Sequence, residues 1–299
     1  MRSFKGIFLL IIANLLIFTT LSISGTILIN FVLPSFGIDL RGSVGGMDFA
    51  WAMVFGFGGA FISLWISKPM IKRSMQMQQI TSPTTAKEKV VYNTVQQLAQ
   101  REGLKMPEVW VYWDDTPNAF ATGPTRNSAM VAVSSGLASN LSDDELRAVL
   151  AHEMGHVVNG DMLATTLLQG LMNTFVYFFA RIISRPIEER SAVAGFLVYM
   201  LLQVAFSILA MIPISWFSRH REFGADAYAA RAFGGEPMIR ALQKIDYLAS
   251  HQIQDKSAMA EDTLATMKIY NTATIAHLFA THPPIEARIA AIRRVAHNS

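Results

Sequence analysis

With 299 residues, 52% apolar and only 16% charged, and a mean hydropathy of +0.32, the chain is too hydrophobic and too charge-poor for an ordinary soluble enzyme. Its net charge of +3 comes from basic residues set beside apolar runs, not from a stripe interleaved with aromatics, so the partner indicated is the lipid bilayer and not nucleic acid. The absence of cysteine excludes disulfides, thiolate metal sites and thiol nucleophiles, and leaves His, Asp and Glu as the ligands for any metal.

Residues 7–33 carry no charge and would give roughly 40 Å of helix at 1.5 Å per residue, enough to cross a bilayer. The run is too long for the apolar core of a signal peptide, so a retained helix is expected. A second run, 49–67, contains Gly56, Gly58 and Gly59, which suit close helix approach in lipid. Arg2 and Lys5 precede the first run, and Lys68, Lys72 and Arg73 follow the second, which predicts that both flanks are cytoplasmic. Residues 1–73 are therefore read as a transmembrane helix pair with a short periplasmic loop.

Residues 74–161 read as soluble structure, the first part of a cytoplasmic domain. A helical pattern through Val90, Val91, Thr94 and Leu98 stops at Gly103. Strands are expected from Val109 to Trp113 and from Met130 to Val133, with Pro117, Gly123 and Pro124 punctuating the stretch between them. Ser142 and Glu145, three apart, form a capping box that starts a helix, and Asn159-Gly160 stops it.

On that helix lies His152-Glu153-Met154-Gly155-His156. His152 and His156 leave the same helical face and can reach one ion, while Glu153 leaves about 100° further round, placed to hold a water without being a ligand. In a chain with 7 histidines this pattern arises by chance on the order of one time in a hundred. The metzincin continuation is excluded, because Asn159 and Met162 stand where Gly and His are required.

Residues 162–218 form an apolar helical hairpin, with runs at 162–180 and 191–218 and a kink expected at Pro213. It is read as a transmembrane pair, although Arg181, Arg185 and Arg190 in the connecting segment oppose placing that segment outside, and a hairpin buried in protein stays open. Residues 219–299 return to the cytoplasm as the second part of the domain. Here Glu222 is the candidate third metal ligand. Asp226, one helical turn on, is placed to orient a ligand imidazole through its second ring nitrogen. The alternatives are a solvated Glu222 paired with Arg219 or Arg221, or His220 as the ligand. Because few residues separate the ligands from the apolar runs, cleavage is expected close to the membrane surface.

These elements, in this order, with a late Thr281-His282-Pro283-Pro284, resemble the HtpX-type membrane metalloproteases, relatives of the type I CaaX prenyl endopeptidases. The resemblance covers nearly the whole chain. It implies a mainly α protein with a small β-sheet, a gluzincin-like domain with one Zn2+ per subunit, and a cytosolic active site at the bacterial inner membrane. It also implies quality control of misfolded or damaged membrane proteins alongside the ATP-dependent protease FtsH. Finally, it implies that Asn118, Ala119, Phe120 and Ala121 belong to a substrate-binding edge strand, for which an ordinary turn is the alternative.

The expected chemistry is peptide-bond hydrolysis with Glu153 as the base. His282 is the candidate oxyanion donor, with Arg219 as the alternative and a plain helix-entry turn as the structural reading. A metal sensor or transporter using the same ligands is the competing function. It would place ionisable groups within the spans, whereas the four runs hold only uncharged polar residues such as Asn14, Asn30, Gln169, Asn173 and Gln203.

Overall fold

A computed structural model describes residues 44–258 and 282–297, together with residues 19, 23, 26–37 and 39. The first apolar run, except for residues 19, 23 and 26–33, lies outside the described residues, as does the stretch 259–281 with Thr281 of the late motif. The chain divides into two compact units, Met1–Ser63 with Thr166–Ile214 and Leu64–Thr165 with Ser215–Ser299.

The first unit is helical. Apart from short helical pieces at Leu28–Val32 and Leu33–Ser35, its described parts belong to three helices long and apolar enough to cross a membrane: α1 (Val44–Ser74), α5 (Asp161–Glu188) and α6 (Ala192–Phe233). Along α6, Val193, Leu197, Leu201, Val204 and Ile208 recur every three or four residues, and all are exposed, which is the stripe a lipid-facing helix presents. Gly56 of α1 packs against Thr174 and the Gly170 carbonyl of α5, an approach that a side chain at position 56 would block; Gly59 has no such neighbour.

Arg181 and Arg185 are not in a loop. They sit on α5, where Arg185 donates to Asp48 at 2.9 Å and Arg181 pairs with Glu188. Both cations thus have a carboxylate partner within the first unit. Pro213 does not end its helix, because α6 runs on to Phe233.

The second unit is built on a four-stranded mixed sheet ordered β1-β2-β4-β3: β1 (Met77–Gln79), β2 (Glu108–Tyr112), β3 (Ala119–Thr122) and β4 (Met130–Ser134). The central pair, β2 and β4, is parallel, and the outer strands are antiparallel to their neighbours. Met130-Val131-Ala132-Val133 is apolar throughout because both faces are covered. Val131 and Val133 face the helical core, while Met130 and Ala132 meet Tyr112, Trp110 and Phe120. Both expected strands form, shifted by a residue at an end; Trp113 lies beyond β2 and is 60% exposed.

Against the sheet pack α2 (Ala86–Arg101) and α4 (Asp143–Asn159), with the short α3 (Ser135–Asn140) between β4 and α4. Both α2 and α4 start with full capping boxes, Thr85 with Glu88 and Ser142 with Glu145. Gly103, at φ +63°, follows the end of α2 and turns the chain. Val95, Leu98, Leu146, Leu150, Met154 and Val157 are buried between them, at roughly 1.5–3 kcal/mol for each large side chain. The C-terminal part adds α7 (Gly235–Ala258) and α8 (Ile285–His297), whose Met238, Ile239, Leu242 and Ile292 close the same core.

Candidate metal centre

Two helices of the second unit meet at glycine. A Cβ on Gly155 of α4 would lie 3.0 Å from the Ala225 Cα and 3.2 Å from the Tyr228 Cβ of α6, a crowding that a side chain could occupy only if the helices gave way, so glycine suits the observed approach. That approach brings the His152 and His156 face of α4 against Glu222 of α6. His156 Nε2 lies 3.2 Å from Glu222 Oε1, and His152 Nε2 lies 3.6 Å from Glu222 Oε2.

The three candidate ligand atoms fall within 4.8 Å of one another. A tetrahedral ion with bonds of about 2.0–2.1 Å holds its ligand atoms roughly 3.3 Å apart, so the separations from Glu222 suit a single ion. The two rings lie edge to face, with centroids 4.8 Å apart.

Each imidazole is anchored through its other nitrogen. His152 Nδ1 lies 2.9 Å from Asp226 Oδ1, and His156 Nδ1 lies 2.6 Å from Asp161 Oδ2. With Nδ1–H donated to a carboxylate, Nε2 keeps its lone pair for a metal. Gly160, at φ +71°, ends α4 in the left-handed conformation and lets Asp161 turn back onto His156.

Burial opposes a proton on His156, but Asp161 and Glu222 outweigh it and push the ring up to about 9. Glu153 is half-buried, and burial pushes its carboxyl above the usual range while the two imidazoles pull it down. The Ala121 backbone amide of β3 also pulls its carboxyl down.

Glu222 is 4% exposed, which rules out a solvated carboxylate on the surface. Nor does His220 approach the cluster: it is exposed and lies tilted against Trp216, with ring centroids 4.3 Å apart. Arg221 turns to the Asp161 carbonyl, donating at 2.9 Å. Asn118 precedes β3, which carries Ala119, Phe120 and Ala121 at the edge of the sheet, so the stretch is a strand and not a simple turn. His282 Nδ1 meets Glu222 Oε2 at 2.9 Å, so the ring expected to serve an oxyanion is already bonded to a candidate ligand.

Two participants escape sequence reasoning. Asp161 reads there only as the end of a helix, although an acid directly after the Asn-Gly stop is a detectable feature. Arg288 reads as one charge on an amphipathic helix. It is buried, however, and donates to both Asp226 oxygens at 2.7 and 2.8 Å, with Glu222 Oε2 3.3 Å away. Its signal is positional: Ile285, Arg288, Ile292 and Val295 share one face, and an Arg in that apolar series needs a partner.

Residues 85–296 match the model of peptidase family M48. The chain is 43% identical to a protein of Idiomarina loihiensis named Protease HtpX over 297 residues, covering 97% of this chain and 99% of that one. It is 44% identical over 302 residues to the Protease HtpX of Tolumonas auensis, again across 97% and 99%. In fold it is similar to the crystal structure of S. mikatae Ste24p, with a TM-score of 0.61 and 22% identity over 94% of this chain and 66% of the other. The sensor or transporter reading gives way to this likeness. Joined to the apolar helices and the paired histidines, these findings establish that the chain belongs to peptidase family M48 and is a membrane metalloendopeptidase.

Proposed function

We propose that the protein is a zinc endopeptidase of the bacterial inner membrane that cleaves misfolded or damaged membrane proteins at the cytoplasmic surface. The observation that carries this reading is the convergence of His152, His156 and Glu222, with Glu153 beside them on α4. The all-nitrogen and oxygen ligand set with one carboxylate favours zinc. A bound zinc would supply Lewis acidity toward water and the scissile carbonyl.

Glu153 takes a proton from the attacking water and returns it to the leaving amine. Asp226 and Asp161 hold the imidazoles in the tautomer that turns Nε2 inward. His282, held as an imidazolium by Glu222, gives Nδ1–H to that carboxylate and Nε2–H to the developing oxyanion. An extended substrate adds along β3, whose Ala121 amide acts on the Glu153 carboxyl, so its backbone runs past the base. Backbone pairing tolerates varied sequences, as clearance of damaged proteins requires.

Glu222 stands one turn beyond the apolar stretch of its own helix, and α5 starts at Asp161, which supports cleavage close to the lipid boundary. The basic residues after the second run support a cytoplasmic active site. A functional link to FtsH is part of the same proposal. The test is cleavage of an unfolded membrane protein by the purified protease with and without a chelator, the metal being measured in parallel. Cleavage lost with the metal and restored by zinc is expected; cleavage indifferent to the chelator contradicts the reading.

A further inference from the structure

We propose that Arg288 is a positioning residue for the metal centre, through which docking of the C-terminal helix α8 sets two of the groups that hold the ion. This rests on the metal reading of His152, His156 and Glu222.

A guanidinium is permanently charged, and burying it without partners is expensive. Arg288 is 8% exposed, and its partners are the carboxylates of Asp226 and Glu222, both on α6. Nε and Nη2 grip the two oxygens of Asp226, a fork that fixes the carboxylate plane. Oδ1 of the same carboxylate receives His152 Nδ1, so the plane of Asp226 dictates where His152 Nε2 points. Nη2 also lies 3.4 Å from His152 Nδ1. Because an Arg cannot accept a hydrogen bond, both nitrogens are directed onto the shared oxygen.

Nη1 lies 3.3 Å from Glu222 Oε2, the oxygen that also meets His282. Oε1 is left facing His156 Nε2 at 3.2 Å. One residue of α8 thus orients an imidazole through Asp226 and a carboxylate directly, without entering the ligand set. Ile292, one turn further and fully buried, docks the same helix on Gly235 of α7 and contributes nothing to the ion's surroundings. Helix docking and ligand positioning are therefore separable by mutation.

The experiment compares full-length, detergent-purified wild type, Arg288→Met, Arg288→Lys and Ile292→Ala. Each is titrated with a chelator to follow zinc retention, melted in its metal-free form, and loaded with Co2+ for its visible spectrum. Arg288→Met is expected to weaken zinc retention roughly 10- to 100-fold and to alter the Co2+ bands. Arg288→Lys keeps the charge but loses the fork, and should fall between the two; it also serves if the Met variant does not fold. Ile292→Ala should melt earlier yet hold zinc as wild type does. Unchanged retention and spectrum in Arg288→Lys and Arg288→Met would overturn the proposal, as would a loss of retention in Ile292→Ala equal to that in Arg288→Met. A wild type that binds no zinc would instead refute the metal reading on which the inference stands.

Discussion

His156 Nδ1 and Asp161 Oδ2 lie 2.6 Å apart, five positions apart in the chain and separated by a left-handed glycine that turns one helix into the next. The carboxylate fixes which nitrogen of the ring carries the proton and which faces the candidate metal. Replacing Asp161 by Ala should weaken zinc retention by roughly 10- to 100-fold, measured by chelator competition. Asp161→Asn keeps a hydrogen-bond acceptor and should lose less.

Glu153→Gln removes the base while preserving shape and leaving the candidate ligands untouched. The variant should keep its metal and lose peptide cleavage by about 10²- to 10⁴-fold. Metal analysis and a turnover assay on the same preparation check both halves, and full activity with metal retained contradicts the assigned role.

Gly155→Ala places a methyl group against the backbone of α6, 3.0 Å from the Ala225 Cα. Two helix backbones cannot give way as a flexible side chain could. Overpacking of this kind costs about 1–3 kcal/mol, so the variant should melt at a lower temperature and release metal to chelator more readily. Gly224→Ala, whose added methyl would meet only the Asn159 side chain at 3.5 Å, serves as the tolerant control.

Acid stability should report on Glu108. Burial raises its carboxyl, but hydrogen bonds from Lys68, Lys72 and Trp110 bring it down to about 2, with Lys68 at 2.8 Å and Lys72 at 2.6 Å. A carboxyl whose folded pKa is depressed stabilises fully above its unfolded value, about 4.3, and loses that contribution as the pH falls toward the folded value. Glu108→Gln should therefore lower stability at pH 7 by about 1 kcal/mol, allowing for solvent screening. The deficit should vanish near pH 2, as followed by thermal melts between pH 2 and 7.

The sequence carried the elements governed by local chemistry. The capping boxes, the glycine stops, the apolar strands and the one-face spacing of His152 and His156 all follow from neighbours a few residues apart. The carboxylate pair Glu222 and Asp226 was legible because its i, i+4 spacing repeats that logic on a second helix. Strand β1, Met-Gln-Gln, was not, because it lacks branched or aromatic residues and owes its form to pairing with β2. The length of α6 was also hidden, since Pro213 reads as a kink close to a terminus while the helix continues past it. Arg288 and Asp161 went unread for a different reason: their meaning lies in partners that only the folded chain brings near.

Zinc retention by Glu222→Gln, set beside wild type after exhaustive dialysis, tests the central claim most directly. The wild-type chain should hold one zinc per subunit and the variant should hold little or none, although it remains folded by circular dichroism. A folded Glu222→Gln chain that keeps a full equivalent of zinc would contradict the three-ligand centre.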